Sequence, residues 1–222
     1  MKKKALHAVL AAAVACCAVM AVVDGILRPS YWLKSAIKAA LFLLIPLVLS
    51  RKWKEIDLRS LFRPQKKGIL TALALGIGVY GVILGGYFVV RNFFDFSGIV
   101  GNLSQNAGVN KDNFLFVSLY ISFMNSFLEE FFFRGFLFLN GKRLGSRGFA
   151  YGFSSLLFAL YHLAMMTGWF SPVLLLLVLT GLTVGGGLFN WLDEKHGSIY
   201  TSWLTHMFAN FAINTIGFLL MG

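Results

Sequence analysis

The chain has 222 residues, of which 58% are hydrophobic and only 13% charged, and it carries a net charge of +11. A soluble domain is about a quarter charged, so composition argues against an ordinary soluble fold. In a soluble protein the positive charge would point to nucleic acid. Here the basic residues lie mostly between long apolar runs, which fits a membrane surface, and no nucleic-acid partner is expected.

Residues 5–23, 68–90, 113–128, 148–192 and 197–222 contain no Asp, Glu, Lys or Arg. A helix needs about 20 apolar residues to cross a bilayer. In chain order the spans are expected at 5–23, 32–50, 69–90, 113–136, 149–166, 171–190 and 200–220. The second is interrupted by Lys34 and Lys38, and "TGWFSP" (167–172) supplies the turn between the fifth and sixth. The expected fold class is therefore all-α, a polytopic transmembrane bundle of about seven spans. It divides into 1–112 (three spans with their loops) and 113–222 (four spans). "MKKK" before the first span also suits a secretory signal, but the apolar run is long for one and no small-x-small cleavage site follows. Cys16 and Cys17 are adjacent and imply no disulfide framework; they are expected to face lipid.

With the N-terminus in the cytoplasm, 14 Lys and Arg fall in cytoplasmic segments and 5 in outer ones, in accord with the positive-inside tendency. The chain reads as a multi-pass protein of a bacterial plasma membrane. Its expected partner is the lipid bilayer. The basic loop 51–67, with Trp, Leu and Phe interleaved, is expected to lie on anionic headgroups. Residues 91–112, rich in Asn, Gly and Ser, are a cap or a plain connector.

A charge at bilayer depth is costly, so it faces the bundle interior and has a partner. The segment "FLEEFFFRGF" (127–136) carries three. Glu130 and Arg134 are four apart and share a helical face, so they can neutralise each other. Glu129 points about 100° away and is left for another task. His162 lies in "FALYHLAMM", one turn after Phe158, and His206 and Asn210 share a face in "WLTHMFANF". Each of these alone reads as a helix contact; three spans each bringing such groups to depth read as a site. A carboxylate and an imidazole can deprotonate water and pass its proton to a leaving amine, while a second imidazole and an amide can stabilise an oxyanion. Equally, Glu129, His162 and His206 could ligate Zn²⁺ or another divalent metal with one position open for water.

The three motifs together, Glu129-Glu130-x-x-x-Arg134, Phe158-x-x-x-His162 and His206-x-x-x-Asn210, resemble the CAAX-protease and bacteriocin-processing family of intramembrane proteases (the CPBP or Abi family). The resemblance covers roughly 113–215. It implies that Glu129 and His162 activate water, that His206 and Asn210 form the oxyanion hole, and that Glu130 and Arg134, with Phe158, support the site. It favours a metal-free, glutamate-type endopeptidase with no required cofactor over a metal-dependent one. It implies a membrane protein or peptide as substrate. The span boundaries put the site near mid-membrane, with approach through a polar cavity from the cytoplasmic side expected.

Other readings fit less of the chain. "GFSS" (152–155) has the shape of a serine-protease motif but leaves Glu129 and His162 unexplained. No His-Glu-x-x-His run is present, and no Asp falls inside an expected span, as a membrane aspartyl protease requires. A non-catalytic adaptor or immunity protein on the same fold, or a proton-coupled transporter, could use the same buried groups for binding or a proton relay. Gly181, Gly185, Gly186 and Gly187 suit either a broken transporter helix or close helix packing.

Overall fold

The computed structural model describes residues 1–222, the side chains of 97, 106 and 107 excepted. It is helical, with no strand among the described residues. The helices are α1 (Lys2–Leu27), α2 (Tyr31–Lys52), α3 (Lys66–Val90), α4 (Ser97–Ala107), α5 (Phe114–Leu144), α6 (Arg147–Leu163), α7 (Pro172–His196) and α8 (Ile199–Met221). Six of them, α1, α2, α3, α5, α7 and α8, are long and apolar enough to cross a membrane. The short α6, of 17 residues, occupies the fifth expected span. The bundle is that of a multi-pass membrane protein with about the number of spans the apolar runs require.

Local chemistry sets the joints. Ser171 caps α7 by accepting the Leu174 N–H, and Pro172 takes the first helical position, where its missing N–H costs nothing. Gly197, at φ +63°, closes α7 in the left-handed conformation and donates to the Asp193 carbonyl. Ser198 then opens α8.

The central element is α5. From Glu130 to Phe138 every residue is buried, so the helix is wrapped by protein on all sides rather than by lipid. In lipid, burying an apolar ring gains no transfer energy, and ring-on-ring packing holds such a helix. Phe42 of α2 stacks on Phe132 at 4.0 Å, and Phe158 of α6 meets Phe133 edge-on at 5.3 Å. Two stretches of α5, Ile121–Asn125 and Glu130–Leu139, are wound in wider i→i+5 turns. Such turns recur at functional sites. On the far side α3 lies along α8, with Gly76 facing the Phe208 ring and Tyr80 bonded to Thr215 at 3.1 Å.

The structure departs from the sequence reading in several places. The fourth span runs on to Leu144, and the sixth to His196. Asp24 and Asp193 therefore lie within helices, both buried, although no Asp was expected in a span. They are not paired with each other: Asp24 meets Lys34 at 2.9 Å, and Asp193 accepts from the Ser202 backbone and hydroxyl at 3.0 and 2.8 Å. Cys16 and Cys17 pack into the protein core, not lipid. Loop 51–67 folds onto the bundle: Ile56, Leu58 and Leu61 are buried, and Leu61 occupies the space left by Gly135. Residues 91–112 contain α4. The glycine-rich stretch leaves α7 unbroken. Gly181 and Gly185 face open space, while Gly186 is the contact, against Ser155.

Candidate active site

Glu129 stands at the midpoint of α5 and is 2% exposed. Its two oxygens have different surroundings. Oε1 accepts from Lys38 Nζ of α2 at 2.7 Å and from Asn125 Nδ2 at 3.1 Å. Lys38 also donates to Asn125 Oδ1 at 2.5 Å, closing a triangle. Oε2 is buried and has no hydrogen-bond partner among the described residues. It faces His162 Nε2 and His206 Nε2, each at 3.8 Å. That is too long for a direct hydrogen bond and is a separation that a single bridging water spans.

The far nitrogens fix the protons. His162 Nδ1 lies 2.7 Å from the Phe158 carbonyl oxygen. A carbonyl only accepts, so Nδ1 carries the proton and Nε2 turns a lone pair toward Glu129. His206 Nδ1 lies 2.8 Å from Glu130 Oε1 and by the same argument donates to that carboxylate. His206 can then donate from Nε2 only as the doubly protonated ring, a form that Glu130 is placed to balance. Phe189 of α7 stacks against the His206 ring at 5.2 Å.

Below this pair, Glu130 Oε2 meets Arg134 Nε at 3.2 Å across one turn of α5, with both side chains fully buried. The guanidinium lies 4.0 Å from the centre of the Phe158 ring and 5.0 Å from that of Phe189. Its close approach to α7 is possible because residue 186 is glycine: a Cβ there would stand 3.3 Å from Arg134 Nη2. Phe158 thus supports Arg134 with its face and orients His162 with its carbonyl.

The structure brings Glu129, Glu130, Arg134, Phe158, His162 and His206 into one buried cluster. Asn210 lies one turn along the His206 face and is buried, and its Nδ2 donates to the Ile121 carbonyl at 3.1 Å. Among the described residues no hydrogen bond joins it to Glu129, His162 or His206. Ile121 opens the first wide turn of α5, whose i→i+5 winding leaves its carbonyl shared between the Ser126 N–H and Asn210. Sequence reasoning missed Lys38, Asn125 and Phe189. Lys38 had a signal, a cation inside an apolar run that needs a partner by the same rule that exposed Glu129. Ser154, of the "GFSS" stretch, donates to the Phe133 carbonyl at 2.9 Å and ties α6 to α5.

The fold and cluster define a helical membrane protein with a buried glutamate–histidine site built from five of its helices, α2, α5, α6, α7 and α8. Residues 111–212 match the family model described as type II CAAX prenyl endopeptidase Rce1-like. The resemblance to the CAAX-protease family carried by the three motifs is borne out over that segment. The match takes in every site residue named above except Lys38. No curated protein and no solved structure matched the chain.

Proposed function

We propose that this protein is an intramembrane endopeptidase that hydrolyses peptide bonds of membrane-associated proteins or peptides. One observation carries the reading: a buried carboxylate oxygen with no hydrogen-bond partner among the described residues, facing two imidazole nitrogens at 3.8 Å. A water there donates one hydrogen to Glu129 Oε2 and the other to His162 Nε2. As its oxygen attacks the scissile carbonyl carbon, its proton passes to Glu129. The carbonyl π-electrons move to the oxygen, where His206 Nε2–H and the second N–H of Asn210 stabilise the negative charge. The C–N bond then breaks, and Glu129 returns the proton to the leaving nitrogen.

We read the site as glutamate-type rather than metal-dependent. Lys38 already places an ammonium 2.7 Å from Glu129. Among the described residues no three His, Cys, Asp or Glu side chains are disposed to hold a metal ion. Glu129 Oε2, His162 and His206 would have to close in from their 3.8 Å separations before they could coordinate one.

The matched family description names prenyl CAAX ends, so a farnesylated peptide is the first substrate to try. The broader test compares N-terminal fragment profiles of membrane and secreted peptides from cells expressing wild type or Glu129→Gln at matched levels. A product lost in Glu129→Gln supports the peptidase and identifies its substrate. Identical profiles with an unchanged cellular phenotype favour a non-catalytic adaptor.

A further inference from the structure

Lys38 belongs to α2, lies outside the segment that matches the family, and is buried to 7% exposure. An ammonium at that depth is held only if its charge is answered. Its donors go to Glu129 Oε1 and Asn125 Oδ1, and its stem and head lie against the rings of Phe42 and Tyr161, with Nζ 4.9 Å from the Tyr161 centre. The neighbouring cation, Lys34, is occupied by Asp24. Lys38 and Asn125 together take one oxygen of Glu129 and leave the other free toward the two histidines.

We infer that Lys38 is a positioning residue for the Glu129 carboxylate. It holds Oε1 so that Oε2 alone faces the reacting water, and it supplies the countercharge that keeps this buried group a carboxylate. The amino-terminal helix pair thereby completes the site that the carboxy-terminal helices begin. Without Lys38 only Asn125 still holds Oε1, and the carboxylate can turn Oε2 away from His162. The inference rests on the reading of Glu129 as the base, but its physical core, a charge-coupled clamp, is separable from activity.

The experiment is a double-mutant cycle on purified full-length protein in detergent, with Lys38→Met, Glu129→Gln and the double variant, read by unfolding midpoint. Removing one partner of a buried pair strands the other, whereas removing both does not. Lys38→Met is expected to lower the midpoint by about 5–15 °C, and adding Glu129→Gln to it should recover most of that loss. If Lys38→Met alone does not fold, folding of the double variant is the same result. Additive midpoints overturn the clamp whatever the activity. On a cleaved peptide, Lys38→Met is expected to lower kcat about 100-fold with KM within about twofold, and Lys38→Arg, which keeps the charge, to recover part of kcat. Coupled midpoints with unchanged kcat overturn the positioning role. Coupled midpoints with an inactive wild type sink the peptidase reading and leave the Lys38–Glu129 clamp standing.

Discussion

Replacing Arg134 by leucine isolates what holds the second glutamate in place. Arg134 is the largest fully buried side chain of the protein. It answers Glu130 at 3.2 Å and lies flat on Phe158 at 4.0 Å. Leucine fills part of the volume but takes the guanidinium away from Glu130, leaving the His206 Nδ1 contact at 2.8 Å. Breaking a buried ion pair from one side costs about 3–5 kcal/mol, and the lost cation–π contact adds about 1–2 kcal/mol, part of which the apolar replacement offsets. A net loss of about 4 kcal/mol is a large share of the 5–15 kcal/mol that typically holds a domain. At about 2–4 °C per kcal/mol for a chain of this size, it lowers the midpoint by about 10 °C. Thermal unfolding of purified protein in detergent, followed by near-UV circular dichroism, reads this directly. Arg134→Lys should fall between, since an ammonium keeps the charge but cannot lie flat on the ring. An Arg134→Leu midpoint within 2 °C of wild type would refute the claim that this pair organises the site.

Further predictions address the packing, the loop and the chemistry. Gly186→Ala places a methyl 3.0 Å from the Ser155 backbone and against Arg134, and should cost about 1–3 kcal/mol by overpacking. Gly181→Ala meets nothing and should be neutral or slightly stabilising; a broken-helix transporter element would reverse that order. For Asp57, burial pushes the carboxyl up, but hydrogen bonds from Ser60 and Arg59 and the charge of Arg143 outweigh it and hold it below the usual carboxylate range. A depressed acid stabilises above its unfolded value of about 3.9 and loses that contribution as pH falls through the folded one. Asp57→Asn should therefore lower the unfolding midpoint at pH 7 and converge on wild type as pH falls through the depressed folded value. Cleavage of an identified substrate should survive EDTA and 1,10-phenanthroline, with elemental analysis finding no stoichiometric metal; loss of activity reversed by Zn²⁺ would contradict the glutamate-type reading.

The bundle was legible because charge-free runs of this length have few alternatives. The carboxy-terminal site was legible because Glu, His and Asn at depth are rare. The rest was hidden for physical reasons. A hydropathy window ends at the first charge, but α7 continues to His196 because Gly197 and the Asp193–Ser202 bonds, not polarity, end it. Lys38 looked like an interruption of the second span because its partner is 91 residues away in sequence, and no local pattern reports such a contact. Ile56, Leu58 and Leu61 follow no helical or strand period, so a basic loop concealed an apolar anchor for Gly135. The wide turns of α5 leave no compositional mark, yet they present the Ile121 carbonyl to Asn210. They set where Asn210 stands relative to Glu129.

The most direct test is turnover of one cleaved membrane peptide by purified wild type and Glu129→Gln, assayed well below the unfolding midpoint measured for each, so that both are folded when compared. The account predicts that Glu129→Gln loses at least about 100-fold in kcat, the lower end of what a positioned general base contributes, because an amide cannot take the proton of the attacking water. Turnover by Glu129→Gln within a few-fold of wild type would contradict it, and would leave the buried glutamates as structural partners of Lys38, Arg134 and His206.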